Sequence, residues 1–110
     1  MNAQIIQTLL RIMQAINTNM PTLVLFANPE QKQSLLDNQQ AATDNFEAGR
    51  VLAYDAEDMA VRMAAQELQK AQAAVDKSLQ DLHDIATILD SLTSAVNAGV
   101  QIVALGASIL

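Results

Sequence analysis

His83 and the carboxylates beside it are the first residues to ask about catalysis or metal binding, because the chain has one histidine and no cysteine. His83 stands in the run Asp81-Leu82-His83-Asp84. A metal pair on a helix needs a second ligand three or four residues away, and no His or Glu occupies those positions. An exposed histidine is the expectation. Asp81 and Asp84 share a helix face at i, i+3, a spacing that on a solvated helix supplies no pocket to hold one carboxyl protonated for general acid work. The serines lie in no glycine-flanked strand-to-helix turn that would activate a hydroxyl. Nothing assembles a nucleophile, a base and an oxyanion site, so a non-enzymatic protein with no catalytic residues, metal or cofactor is expected.

A second charged constellation has a different use. Asp44, Glu47, Asp55, Glu57 and Asp58 face a single Arg50. Such a patch is either a solvated helix face or a docking surface for a basic partner, whose on-rate the charges would raise. Asp58 and Arg62, at i, i+4 in the favourable order, support the helix that carries them.

Composition narrows the classes. Twelve Asp and Glu against six Lys and Arg leave a net charge of −6. Phosphate contacts need clustered cations, so no nucleic-acid partner is expected. Length allows one domain with a modest core. Nineteen alanines, three glycines, two prolines and three aromatic residues describe a helix-rich chain with little turn chemistry, and hence an all-α protein. The N-terminal twenty residues have no positive n-region, since Arg11 is the first charge and glutamines interrupt the apolar run. Localisation is therefore expected to be cytoplasmic, or exported without a cleaved signal peptide.

The elements that must position these groups follow from periodicity. Ile5, Ile6, Leu9, Leu10, Ile12, Met13, Ile16 and Met20 form a wide apolar stripe and predict a helix over about 3–20, which Pro21 should break or kink. Asn28, Pro29 and Glu30 read as an N-cap, a first-turn proline and a first-turn acid, so a second helix is predicted over about 29–42. It should fray in the polar run that ends at Asn45. A new start is predicted at Asp44, with Glu47 as capping-box partner and Gly49 as the weak point.

From about 54 to 110 the chain keeps one heptad phase: Tyr54, Val61, Leu68, Val75, Leu82, Leu89, Val96, Val103 and Leu110. The companion line three residues on holds mostly small residues, among them Ala64, Ala71, Ser78, Gly99 and Gly106. Large residues beside small ones let a neighbouring helix approach closely, so antiparallel packing in a helical hairpin or bundle is expected. A long helix over about 44–96 is predicted, with a bend near 91–99 and an uncharged C-terminal helix to 110. Unbroken from 54 to 110 it would be about 85 Å long, so it needs a partner chain or a fold back on itself. The methionines Met13, Met20, Met59 and Met63 read as core filler.

Residues 12–29 and 91–110 carry no charge. Either the two stretches bury each other, or both enter lipid. Eight Leu, Ile and Val residues in 91–110 would contribute roughly −2.4 to −4.8 kcal/mol at a bilayer centre, against Asn97, Gln101 and four hydroxyl residues. The balance favours a helix buried in a bundle or an oligomer seam.

The expected function is thus helical interaction or self-association, with Tyr54, Val61, Leu68, Val75, Leu82, Leu89, Val96 and Val103 as the seam and a second copy or another helical protein as partner. One alternative is a membrane-active helical protein, a pore-forming or secretion-linked subunit, that inserts its uncharged ends through 91–110. The other is a small acidic inhibitor or immunity-type protein that covers a basic target with its acidic patch.

Overall fold

The structure is a computed structural model and describes residues 2–108. The first helix, α1 (Asn2–Phe26), buries Ile5, Leu9, Ile12, Ile16, Met20 and Leu23 at three- and four-residue spacing. It runs through Pro21, contrary to the break expected there. Pro21 faces solvent, so the Asn17 carbonyl that loses its donor also faces water. The proline costs about 3 kcal/mol. Continuing the helix buries Leu23 completely, which returns about 1.5–3 kcal/mol.

The second helix, α2 (Pro29–Gly49), starts where Asn28 and Pro29 place it. Gln31 donates its backbone N–H to Asn28 Oδ1 at 2.8 Å, and Asn28 N–H reaches Gln31 Oε1 at 2.9 Å, closing a capping box. No fraying occurs at 42–44, and Asp44 lies inside the helix, not at a new start. The polar run supports its own helix through i, i+4 bonds from Gln33 to Asp37 and from Gln40 to Asp44. Its buried line is Leu35, Asn38, Ala42, Asn45 and Gly49.

The predicted long helix over 44–96 is three separate pieces. Residues 50–58 and 79–84 are not helical and separate α2 from α3 (Met59–Ser78) and α3 from α4 (Ile85–Ala107). Asp58 caps α3 by accepting from Ala60 N–H at 2.8 Å, in place of the expected pairing with Arg62. Asp84 caps α4 by accepting from Thr87 N–H at 3.3 Å. Asp81 and Asp84 are therefore turn residues, not a helix-face pair. The helix α4 is continuous through 91–99, and Gly99 serves a close contact there. Leu110 lies outside the described residues.

Helix directions follow from the contacts between elements. Gln39 bonds Asn17, and Leu9 lies against Gly49, so α1 and α2 are antiparallel. Asn38 reaches Thr93 and Asn45 reaches Val96, so α2 and α4 are parallel. Ala60 and Ala64 stand opposite Leu105 and Ser108, while Ser78 stands opposite Thr87 and Ser91, so α3 and α4 are antiparallel. Among the described residues α2 and α3 do not touch, and α1 meets α4 only thinly across the centre. The result is an up-down-up-down four-helix bundle, 43 × 21 × 18 Å, in which residues 50–58 cross one end diagonally.

The core holds Ile16, Leu23, Leu35, Leu68, Ile88, Leu92 and Ile102, each under 2 % exposed. On α3 the predicted heptad line of Val61, Leu68 and Val75 is fully inside. On α4 the companion line takes over: Ile85, Leu92, Gly99 and Gly106 are buried together with Ile88, Ala95 and Ile102. Val96 is buried, whereas Leu89 and Val103 are half-buried at the edge and Leu82 is half-buried in the turn. Two helices joined by a turn need not share one rotational phase, so the period that ran through 79–84 does not describe one continuous face.

Candidate functional site

The diagonal crossing brings Tyr54 and the acids of the predicted patch toward one end of the bundle. Tyr54 closes that end. Its hydroxyl donates to the Gly49 carbonyl at 3.0 Å, and its backbone N–H donates to Asn2 Oδ1 at 2.9 Å. A Cβ on Gly106 would fall 2.6 Å from Tyr54 Cε1, so only glycine lets the ring lie flat on α4. Burial pushes the Tyr54 phenol above its ordinary pKa.

The five acids of the predicted patch lie in the segments that lead into and out of this crossing. Asp44 and Glu47 lie on the last turns of α2, while Asp55, Glu57 and Asp58 lie in or at the end of the crossing. All five are exposed. Asp55 accepts from Glu57 N–H at 2.9 Å and Asp58 caps α3, so two of the five also shape the turn. Arg50 sits over the Phe46 ring at 5.9 Å.

The heptad residues are placed differently. Tyr54, Val61, Leu68, Val75 and Val96 are buried against the chain's own helices, so the seam is closed within one chain. Met59 and Met63, read from sequence as core filler, stand outside at 63 % and 59 % exposure. Their spacing carried the signal. Each is two residues from Val61, about 200° around a helix whose Val61 points inward.

Met63 borders a shallow groove between α3 and α4 of about 610 Å³. Its walls are Ala60, Ala64 and Glu67 on one side and Gln101, Ala104 and Leu105 on the other. The small residues follow from the alanine-rich line beside the heptad seam: two helices that meet on alanine leave little side chain to fill the cleft above them. The corresponding α1/α3 groove is polar, lined by Arg11, Gln14, Gln72 and Asp76.

At the opposite end, His83 is exposed on the 79–84 turn, with its ring centroid 4.2 Å from that of Phe26. Its Nδ1 lies 3.7 Å from Asp81. Among the described residues no three His, Asp or Glu side chains converge as a metal site would need, and every buried side-chain nitrogen or oxygen has a partner. Asn38 and Asn45, missed as core residues, are part of that satisfied set, with Asn45 Nδ2 donating to the Val96 carbonyl at 3.1 Å.

No protein-family model, curated protein or solved structure matches the chain. Function is therefore argued from the four-helix bundle and the surface it leaves open.

Proposed function

We propose that the chain is a non-enzymatic helical interaction protein that meets its partner as a closed bundle, through the outer face of α3 and α4. The observation that carries this is the exposure of Met59 and Met63 beside an apolar groove, on a bundle whose interior is otherwise filled and hydrogen-bonded. Exposed apolar groups that line a groove mark interaction surfaces more often than scattered ones do. Methionine suits such a surface because its thioether adapts to the shape it meets. Self-association through the heptad line would instead require the bundle to open, since its α3 residues are already covered.

Site-specific photo-crosslinking in the native host tests the assignment. A benzophenone side chain at Met63 should give a discrete protein adduct, and the same group at Gln7, on the exposed face of α1, should not. No adduct at Met63, or equal labelling at both positions, would remove the basis for an interaction role on this face.

A second reading rests on α4, whose 23 residues include an 18-residue window of mean hydropathy 1.4, long and apolar enough to cross a membrane. Its large residues Ile85, Ile88, Leu92 and Ile102 fill the core, so insertion would require α4 to leave the bundle. Flotation of the chain with lipid vesicles, accompanied by crosslinking of a photoreactive side chain at Leu92 to lipid, is the outcome that would favour it.

A further inference from the structure

We infer that the α3/α4 groove receives a basic amphipathic helix from another protein. This deepens the interaction role proposed above and rests on it.

The groove has the dimensions of a helix seat. Its apolar section spans Ala60 to Glu67 on α3 and Gln101 to Ser108 on α4, each about 10 Å or two helical turns. That is the length over which a docked helix presents anchors at i, i+3 or i+4, and i+7. A second, separate indentation lies between the same two helices toward the other end, beside Ser78 on α3 and Thr87 and Ser91 on α4. From Ser108 to Thr87 the track that holds both indentations is about 32 Å long, room for roughly 20 residues of helix at 1.5 Å each. Alanine and serine along both walls let a helix backbone come close.

Charge selects the sign of the occupant. Asp58 caps the α3 end of the track, Glu67 lines its apolar section, and Asp81 and Asp84 line the far section. Asp90 shares the α4 face of Gln101, eleven residues or about 20° away. Against these five acids stand Lys70, Lys77 and Arg62, which shares the helix face of Asp58, so the track carries 3 − 5 = −2 of the chain's −6. Lys70 is itself 3.6 Å from Glu67. Lysine or arginine flanking the apolar anchors would meet this rim and speed association, as opposite potentials do.

The same charges disfavour the other occupants. A two-fold dimer through this face would set the track against itself, acid facing acid. An anionic membrane would repel a chain of −6.

The test uses the full chain and a synthetic amphipathic peptide of about 18 residues, about 27 Å as a helix, with leucine at i, i+3, i+4 and i+7 and lysine at the flanking positions. Calorimetric titration should show binding that weakens steeply with salt, and no binding of the peptide with glutamate in place of lysine. Met63→Asp and Ala104→Glu alter exposed positions, so both variants should keep the wild-type helical circular dichroism. Each should weaken binding about tenfold or more, the loss typical of a central contact. Glu67→Lys should weaken it severalfold, while the charge-matched control Asp37→Lys on α2 should stay within about twofold.

Four results overturn the assignment. Failure of the lysine peptide to bind removes the basic helix. Binding unchanged in Met63→Asp and Ala104→Glu moves the site off the groove. A light-scattering mass of two chains that Met63→Asp reduces to one makes a second copy the occupant. Flotation with phosphatidylcholine vesicles that Ala104→Glu abolishes makes it lipid. A Met63 crosslink to protein combined with either of the first two results would leave the interaction role standing with a different kind of partner, whereas absence of the crosslink defeats that role itself.

Discussion

Asn45 occupies the space that a side chain on Gly99 would need: a Cβ built there would lie 2.5 Å from Asn45 Nδ2. The same amide donates to the Val96 carbonyl at 3.1 Å, one turn earlier on α4. A buried polar group of α2 is thus seated in a notch that a glycine of α4 leaves open. The pair sets how closely these two parallel helices approach.

Gly99→Ala should therefore destabilise the bundle by about 1 kcal/mol, the overpacking strain outweighing the better helix propensity of alanine. In an Asn45→Ala background the clash with the amide is gone and the next nearest atom is Leu9 Cδ2, at 3.3 Å. There Gly99→Ala should become neutral or stabilising by up to about 1 kcal/mol. Denaturant unfolding of the four chains measures the coupling, and equal effects of Gly99→Ala in both backgrounds would show that the notch is not shared.

Tyr54 gives a pH dependence with a defined sign. Its phenol, raised by burial, binds its proton more tightly in the folded chain than in the unfolded one. The stability this provides is complete below the ordinary value of 10.0 and is lost as pH rises through the higher folded pKa. Tyr54 is the sole tyrosine, so phenolate absorbance reports it directly. The phenolate should form with a midpoint above the ordinary 10.0 and together with loss of helical signal. Tyr54→Phe should weaken that alkaline transition and, through the lost bond to Gly49, cost about 1 kcal/mol at neutral pH. Ordinary titration with the helices intact would contradict the buried plug.

How much of this was legible in the sequence differs from helix to helix, for physical reasons. The start of α2 was readable because Asn28, Pro29 and Glu30 each perform a local task that does not depend on the rest of the fold. The all-α class and the antiparallel packing of a helical bundle were readable from composition and from the alanine line beside the heptad residues, but not which helices pair. The turn at 79–84 was not, because it contains neither glycine nor proline. Leu79 ends α3 in an ordinary right-handed conformation, with φ −73° and ψ −3°, and Asp81 and Asp84 satisfy the exposed amides. The core role of Asn38 and Asn45 was hidden because hydropathy counts asparagine as a surface residue, although their spacing from Leu35 and Ala42 is that of a buried stripe. The open groove was half legible. The small residues predict close packing, but their consequence for the outer face depends on where Met59 and Met63 point, and that requires knowing which line of α3 faces inward.

Pro21 provides a stabilising substitution. It is exposed in the sixth turn of α1 and removes one backbone donor from a helix that continues past it to Phe26. Pro21→Ala restores an N–H opposite the Asn17 carbonyl and removes the ring's clash there, so stability should rise by about 1–3 kcal/mol. The Asn17 side chain is independently engaged, accepting from Gln39 Nε2 at 2.9 Å, and should be unaffected. Thermal unfolding measures the gain, and a neutral or lower melting temperature would mean that α1 is bent at Pro21 in a way its packing requires.

Leu68 and Met63 lie five residues apart on one helix and should respond in opposite ways. Leu68 is fully buried between helices of its own chain, so Leu68→Ala should cost about 2–5 kcal/mol through lost contacts and a residual cavity. Met63 is largely exposed, and Met63→Ser should change stability by no more than about 0.5 kcal/mol. Chemical unfolding and light-scattering mass should be measured on both variants. If Leu68→Ala left unfolding unchanged but lowered the mass, the heptad line would lie between chains and the bundle would be assembled from more than one copy. If Met63→Ser destabilised the chain as strongly as Leu68→Ala, the outer face of α3 would be part of the core, and the groove beside it would have no surface to offer a partner.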